Sequence, residues 1–248
     1  GGPLRGGNDE DPCGRRPNPG NVNVRERRGI LPSLIRRQTG KWHERKNMDI
    51  RQAKERLIEI VLERSFQYSE DPPFTLVSGR KSNYYFNCKP TTLDPEAMNL
   101  IGELLFAMLA ETDVTAAGGL TLGADPIANA LSVISFQKGK PIRSFVVRRD
   151  AKDHGTKRSI EGNVQPGDRV VILDDVITTG GSTIAAILRA REAGLAIDRV
   201  IALIDREEEN GRENIAAHVA RVEAVLTRTE IMNRYRGKKI GSIKTVRE

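Results

Sequence analysis

The fourteen residues from Val170 to Thr183, VVILDDVITTGGST, leave few folds open to this chain. They begin with an apolar run that ends at Leu173 and is mainly β-branched, the pattern of a strand buried on both faces of a parallel sheet. Two aspartates follow, then a loop of threonine and glycine, then a helical pattern that starts at Ile184. The order of strand, loop and helix predicts an α/β fold that binds a ligand at the carboxyl end of this strand.

The loop from Thr178 to Ser182 has the composition of a phosphate-binding loop. Its glycines, Gly180 and Gly181, let the backbone turn tightly with N–H groups pointing inward, and the N-terminus of the following helix favours an anion. No lysine follows the second glycine, as a Walker A loop requires, and the three spaced glycines of a dinucleotide fingerprint are absent. We therefore expect a single phosphate here; the alternative is an ordinary strand-to-helix turn capped by a hydroxyl.

Asp174 and Asp175 stand side by side after the apolar run. Adjacent side chains on a strand point to opposite faces of the sheet. We therefore expect the strand to end before this pair, so that both carboxylates can reach a polyhydroxyl compound or a cation. Two solvated acids in a turn are the alternative interpretation.

Composition restricts the class of protein. The length of 248 residues fits one α/β domain with a small addition. Cys13 and Cys88 are the only cysteines, and no CxxC pair or histidine cluster is present, which argues against a disulfide framework or a zinc site and fits a reducing cytoplasm. No apolar run approaches the roughly 20 residues of a membrane span. We therefore expect a cytoplasmic protein without a membrane partner.

The basic charge is concentrated in residues 1–47, which hold 11 Lys/Arg and 5 Asp/Glu, whereas residues 48–248 hold 29 and 28. The Gly, Pro, Asn and Arg content of residues 1–47 predicts a disordered tail. Three interpretations are open: a basic arm that contacts nucleic acid, an organelle transit peptide, which the acidic residues argue against, or a translation start assigned too early. We favour the third, with the true start at Met48, because folded patterning begins directly after it. We do not expect nucleic acid among the partners.

The rest of the chain alternates helical and strand patterns. Residues 49–65 are amphipathic, and Asp94 and Pro95 have the residue types of a helix N-cap and first position, which predicts a helix from Pro95 to Leu109. The alternation predicts a parallel sheet with helices on both faces. Further expected elements are short antiparallel strands at 74–77 and 84–87, strands at 114–118, 142–147, 200–204 and 222–226, a helix at 127–135, a long exposed loop at 148–162 and a C-terminal helix.

The apolar strand, acid pair and Thr/Gly loop together resemble the phosphoribosyl-pyrophosphate (PRPP) signature of the type I phosphoribosyltransferases. The resemblance implies that Asp174 and Asp175 hold the ribose 2′- and 3′-hydroxyls and that the loop from Thr178 to Ser182 holds the 5-phosphate. The PRPP-binding residues that it implies are Arg148, Arg149, Lys152, His154, Asp174, Asp175, Val176, Ile177, Thr178, Thr179, Gly180, Gly181 and Ser182.

Residues 148–158, here called the catalytic loop, carry five fixed cations and His154. A solvated charged hairpin is one interpretation; the other is a mobile arm that folds over a polyanion, where cations stabilise a departing pyrophosphate. The loop resembles that of orotate phosphoribosyltransferases at Arg148, Lys152 and His154, and departs from it at Arg149, where the family usually has lysine. The resemblance implies that Lys152 and His154 are catalytic together with the acid pair. It also implies a homodimer in which the loop covers the neighbouring active site.

Two other stretches resemble the same family. Residues 74–86 resemble its N-terminal hood, which covers the orotate ring, although Val77 stands where many members have lysine. Arg206 follows Asp205 at the end of a predicted strand, and the resemblance implies that Arg206 and Thr178 bind orotate. The loop from Gly118 to Pro126 lies where the family binds pyrophosphate.

The resemblance implies a fold, a reaction and a cofactor. The expected fold is a type I phosphoribosyltransferase-like parallel sheet flanked by helices, with a hood at residues 48–92, a core at 93–232 and a flexible catalytic loop. The expected reaction converts PRPP and orotate into orotidine 5′-monophosphate and pyrophosphate, with Mg²⁺ held mainly by PRPP near Asp174 and Asp175 rather than by direct protein ligands. The alternatives are another acceptor base, or a PRPP-sensing regulator that binds nucleic acid through the tail.

Overall fold

A computed structural model describes residues 49–71, 73–75, 81–149 and 159–245 of the chain, with side chains to residue 238. Several residues that the sequence singles out lie outside these ranges, so nothing tests their predicted roles. They are the tail 1–47 with Met48, Val77 in the hood, and Lys152 and His154 in the catalytic loop.

The described residues form a central sheet with helices on both faces and a small hood. The elements, in chain order, are α1 (Ile50–Arg64), β1 (Phe66–Tyr68), β2 (Phe74–Thr75), β3 (Lys81–Ser82), β4 (Tyr84–Phe86), α2 (Lys89–Thr92), α3 (Pro95–Leu109), β5 (Ala116–Leu120), α4 (Asp125–Gln137), β6 (Arg143–Val147), β7 (Ile160–Gly162), β8 (Arg169–Ile177), α5 (Gly181–Glu192), β9 (Ala196–Asp205), α6 (Gly211–Ala216), β10 (Val222–Thr227) and α7 (Arg228–Thr245).

The central sheet has the strand order β10-β9-β8-β5-β6-β7 among the described residues. All its neighbours are parallel except β7, which runs antiparallel to β6. The chain order reverses between β5 and β8, and such a reversal opens a ligand-binding crevice at the carboxyl ends of the strands. The predicted parallel sheet with helices on both faces is confirmed.

The strands β5 and β8 pair closely and then separate. Their register runs from Ala116 opposite Val170 to Gly118 opposite Ile172, whereas β8 stays paired with β9 as far as Ile177. A methyl group on Gly119 would lie only 1.9 Å from the carbonyl oxygen of Leu173, so the backbones approach here more closely than any side chain allows. The last residues of β8 therefore line the crevice.

Two apolar clusters cover the faces of the sheet. One includes Leu57 of α1 and Leu105 of α3, and the other includes Ile187 of α5. The start of α3 is as predicted: the Asp94 side chain accepts a hydrogen bond of 3.0 Å from the N–H of Ala97, and Pro95 occupies the first turn. Layers of this kind bury a strand on both faces, as the run before Asp174 requires.

The hood differs from the sequence prediction. The strands predicted at 74–77 and 84–87 do not pair with each other: β2 pairs with β3, and β4 pairs with β1. The strand β1 has only three residues, too few for an alternating apolar and polar pattern to be recognised in the sequence. It is fixed instead by tertiary contacts, because the Phe66 ring packs against Phe86 at 5.3 Å and against Tyr235 at 5.4 Å.

Other helix and strand boundaries also differ from the sequence prediction. The predicted loop 148–162 ends in strand β7, whose Ile160 is buried against the sheet. The first core strand occupies Ala116–Leu120 rather than 114–118, and the helix predicted at 127–135 extends over Asp125–Gln137. The strand predicted to end at Leu173 continues to Ile177, which changes the geometry of the acid pair.

Candidate active site

The predicted site residues within the described ranges gather at the carboxyl edge of the sheet. Thr121 to Ala124 follow β5, and Arg148 and Arg149 follow β6. The Thr/Gly loop follows β8, and Arg206 follows β9, where its N–H donates a 3.1 Å hydrogen bond to the carbonyl oxygen of Ile177. Parallel pairing thus brings together four segments that are far apart in sequence.

Asp174 is a buried carboxylate that holds the start of α5. Its Oδ2 accepts hydrogen bonds from Ser182 Oγ at 2.7 Å and Thr183 Oγ1 at 2.5 Å, and its Oδ1 accepts one of 3.0 Å from the N–H of Asp175. Burial raises the pKa of Asp174 to about 6, against the opposing effect of these hydrogen bonds. Asp174 therefore precedes the Thr/Gly loop in sequence and also holds that loop in place through its side chain.

Asp175 points to the other face. The strand has not ended at this position, so neighbouring side chains alternate, and the expectation that both carboxylates face the same way is wrong. Pairing of β8 with β9 keeps the backbone extended through Val176 and Ile177. The Asp175 carboxylate lies against Gly123, where an added methyl group would stand 2.7 Å from Oδ1. Burial raises the pKa of Asp175, and the charge of Lys89 opposes that rise.

The Thr/Gly loop turns sharply into α5. Gly180 has a φ of +82°, and a methyl group there would stand 2.8 Å from Ile215 Cγ1, so both conformation and space require glycine. Asn214 supports the loop from behind by donating a 3.0 Å hydrogen bond to the carbonyl oxygen of Thr179. The first N–H groups of a helix have no partner within the helix and attract an anion. Thr179, Gly181 and Ser182 are exposed at this end.

Not every residue predicted in this stretch offers a side chain to the crevice. The Ile177 side chain is buried in the cluster with Ile187, so a ligand contact from Ile177 would use the backbone. Thr178 and Val176 are half-buried. Arg148 pairs with Glu161 of β7 at 3.3 Å.

Arg206 is 6% exposed at the end of β9. Its Nη2 donates to Glu208 Oε2 at 2.9 Å, and its guanidinium carbon lies 5.9 Å from the centre of the Phe86 ring. Its Nε is buried and has no hydrogen-bond partner among the described residues. A buried donor without a partner is costly, so this atom calls for an explanation, and a group supplied by a ligand is one that fits its place at the end of β9.

Sequence reasoning missed several residues that shape this site. Lys89 is one, and Cys88 is another: its Sγ lies 3.8 Å from the carbonyl oxygen of Asp175, and burial raises the pKa of its thiol. Gly211 is a third, since a methyl group on it would stand 2.2 Å from the carbonyl oxygen of Thr178. None of the three belongs to a local motif, so only the folded arrangement identifies them.

Two kinds of feature are absent from the described residues. These residues contain no group of three or more His, Cys, Asp or Glu side chains arranged to hold a metal ion. Across the same part of the chain, every helix is too short or too polar to cross a membrane.

Comparison with known proteins identifies the family. No protein-family model matches the chain. An orotate phosphoribosyltransferase of Aquifex aeolicus is 47% identical over 162 residues, which cover 65% of this chain and 88% of that protein. One of Nostoc sp. is 40% identical over 188 residues, which cover 75% of this chain and 89% of that protein. The chain belongs to the orotate phosphoribosyltransferase family.

Solved structures of the family have the same architecture. The Mycobacterium tuberculosis orotate phosphoribosyltransferase in complex with Fe(III) dicitrate is 35% identical, with a TM-score of 0.62 over 72% of this chain and 98% of that one. The same enzyme in complex with PRPP is 32% identical, with a TM-score of 0.58 over the same shares. The resemblance drawn from the acid pair and the Thr/Gly loop is thus confirmed.

Proposed function

We propose that this chain transfers the phosphoribosyl group of PRPP to orotate, forming orotidine 5′-monophosphate and pyrophosphate in pyrimidine (UMP) biosynthesis. Membership of the family supports the reaction. The observation that carries the choice of acceptor is Arg206, a buried arginine at the crevice with an unpartnered Nε. A cation with free donors in that position suits an acceptor that bears a carboxylate.

PRPP occupies the carboxyl edge of the sheet. The 5-phosphate binds the Thr/Gly loop at the N-terminus of α5, where exposed donors and the helix dipole favour it. The ribose hydroxyls bind at the acid pair of Asp174 and Asp175, mainly through Asp175, because Asp174 Oδ2 already accepts from Ser182 and Thr183. The diphosphate lies towards the loop from Thr121 to Ala124. The acceptor lies between Thr178 and Arg206 under the hood.

The reaction is a displacement at the anomeric carbon of ribose. A bond forms from the orotate ring nitrogen, which releases its proton to solvent, to that carbon, and the bond from the carbon to the diphosphate oxygen breaks. Lys152, Arg148 and Arg149 stabilise the charge of the departing diphosphate, and His154 supplies a proton to it. Positioning of both substrates and exclusion of water account for the rest of the rate enhancement.

Mg²⁺ is the proposed cofactor. The carboxylates of Asp174 and Asp175 diverge, and Asp174 is already engaged by two hydroxyls, which fits a cation held mainly by diphosphate and ribose oxygens with Asp175 nearby. When bound, the ion neutralises part of the diphosphate charge.

A homodimer with shared active sites is proposed from the catalytic loop. In this arrangement Lys152 and His154 of one subunit act at the site of the other. We also propose a cytoplasmic location, with PRPP and orotate as the small-molecule partners besides the second subunit.

The decisive experiment follows the loss of orotate absorbance with purified protein, PRPP and Mg²⁺, and assays uracil, hypoxanthine and adenine in parallel. We expect turnover of orotate alone, and its loss on chelation of Mg²⁺. Turnover of another base would support the proposed PRPP site but show that the acceptor is that base and not orotate. PRPP binding without turnover of any base would favour the alternative function, a PRPP-sensing regulator.

A further inference from the structure

A single carboxylate lies between two guanidinium groups behind the crevice. Glu208 Oε2 accepts from Arg206 Nη2 at 2.9 Å, and Glu208 Oε1 accepts from Arg228 Nη1 at 3.1 Å. The side chains of Arg206 and Glu208 are 7% and 6% exposed, and that of Arg228 is 25% exposed. Glu208 therefore connects a buried arginine at the crevice with an arginine at the start of α7.

Both guanidinium groups also contact the same strand of the hood. The carbon of the Arg206 guanidinium lies 5.9 Å from the centre of the Phe86 ring, and that of Arg228 lies 5.4 Å from the Tyr84 ring. Residues two apart on a strand lie on the same face, so β4 presents one aromatic ring to each arginine. The three charged side chains thus fix the hood against the end of β9.

The turn that carries Glu208 has an uncommon backbone. Glu207, Glu209 and Asn210 have φ values of +52°, +54° and +53°, in the left-handed region that residues other than glycine seldom adopt. Such conformations persist where surrounding contacts determine them, and they concentrate at functional sites. One such contact is that Glu207 Oε2 accepts hydrogen bonds from the N–H of Thr229 at 2.8 Å and its Oγ1 at 2.6 Å.

We propose that Glu208 is a positioning residue for the acceptor base. By occupying Nη2 of Arg206, Glu208 fixes the orientation of the guanidinium, whose Nε is buried and unpartnered among the described residues. In the proposed role, the donors that Glu208 leaves unused serve the acceptor carboxylate. Arg228 holds the other carboxylate oxygen, so Glu208 cannot rotate away when the acceptor departs. This inference rests on the proposed function, since it assumes that Arg206 binds orotate.

The substitution Glu208→Gln tests the inference with little change in volume. We expect the KM for orotate to rise on the order of 10- to 100-fold, because displacement of a binding group by about 1 Å has effects of that size. The KM for PRPP should change less than about twofold, because the phosphate loop does not contact Glu208. A purely structural role would lower active protein without separating the two KM values.

A matched control is Glu207→Gln in the same turn. Glu207 contacts Thr229 and Arg228, and among the described residues no hydrogen bond or ion pair joins it to Arg206, so this variant should keep the KM for orotate. A rise equal to that of Glu208→Gln would assign the effect to the turn and overturn the inference.

A double-mutant cycle shows whether Glu208 affects orotate binding through Arg206 or independently of it. The kcat/KM for orotate of Arg206→Ala combined with Glu208→Ala should match that of Arg206→Ala alone, since removal of Arg206 leaves Glu208 nothing to position. Additive losses would overturn the proposal. If Glu208→Gln fails to fold, Arg228→Gln replaces it, because Arg228 is more exposed; we then expect a smaller rise in the same KM, and no rise would also overturn the proposal.

The outcomes distinguish the inference from the function on which it rests. A wild-type protein that transfers nothing to orotate overturns both. A wild-type protein that is active, with Glu208→Gln unchanged in its KM for orotate, overturns the role of Glu208 alone.

Discussion

Gly123 lies so close to Asp175 that a methyl group on it would stand 2.7 Å from the carboxylate oxygen Oδ1. The loop after β5 and Asp175 of β8 therefore lie together in one wall of the crevice. Because the contact is with the end of a side chain, the carboxylate can move aside and little stability is lost, but its position changes.

For Gly123→Ala we expect a free energy of unfolding within about 1 kcal/mol of the wild type. The kcat/KM for PRPP should fall about tenfold or more, because Asp175 is displaced from the ribose. Chemical denaturation and initial rates measure both. Gly237→Ala serves as the control, since nothing lies within 4 Å of a methyl group there. An undiminished kcat/KM in Gly123→Ala would mean that Asp175 does not require this position.

Gly180→Ala should destabilise the protein by about 1–3 kcal/mol, because alanine disfavours the φ of +82° and its methyl group would meet Ile215 at 2.8 Å. Thermal denaturation measures the loss. The stability control is Gly181→Ala, whose methyl group would meet Thr179 Oγ1 at an ordinary 3.7 Å. Equal stability of the two variants would contradict the role of the left-handed backbone at Gly180.

The stability contributed by Asp174 should depend on pH. Its folded-state pKa of about 6 lies above the ordinary value of 3.8, so the folded state binds more protons than the unfolded state between these values. Stability from this group is therefore gained as pH falls through 6 and is lost as pH rises through it.

The variant Asp174→Asn lacks this titration. We expect the wild-type Tm to rise relative to that of Asp174→Asn as the pH is lowered from about 7 to 5, with roughly 2–4 °C for each 1 kcal/mol. Melting curves of both proteins across this range provide the measurement. A constant difference in Tm would show that Asp174 does not titrate there.

Mixing two inactive proteins tests the shared site. Lys152→Ala should lower kcat far more than affinity for PRPP, and Asp175→Ala should also be inactive. After subunit exchange, a heterodimer carries one site with both residues intact, so an equal mixture should regain about a quarter of wild-type activity if pairing is random. Activity that stays absent, although mass measurements detect heterodimers, would count against loops that cross between subunits.

Local signals in the sequence were sufficient for much of the fold. The cap at Asp94, the apolar run before Asp174 and the glycines after Thr179 act over a few residues, and each predicted the element that forms there, although β8 runs four residues beyond its predicted end at Leu173. The family resemblance assigned the crevice because its motifs fall at the ends of neighbouring parallel strands.

Distant contacts explain the errors. Hydrogen bonds to β9 keep β8 extended through Asp175, which a local pattern of two acids does not reveal. The hood pairing depends on Phe66 meeting Tyr235 across the fold. Glu208 belongs to a charged stretch that resembles a solvated turn, and its burial depends on Arg228, twenty residues away.

The buried thiol of Cys88 offers a way to measure how often the hood opens. Only the thiolate reacts quickly with alkylating reagents, and burial beside Asp175 suppresses it. In a Cys13→Ser background, the rate of labelling at Cys88 would measure how often local opening exposes this side chain. A substrate that stabilises the packing of the hood around Cys88 would lower the rate of labelling. The same thiol reaction could therefore rank ligands before any product is formed.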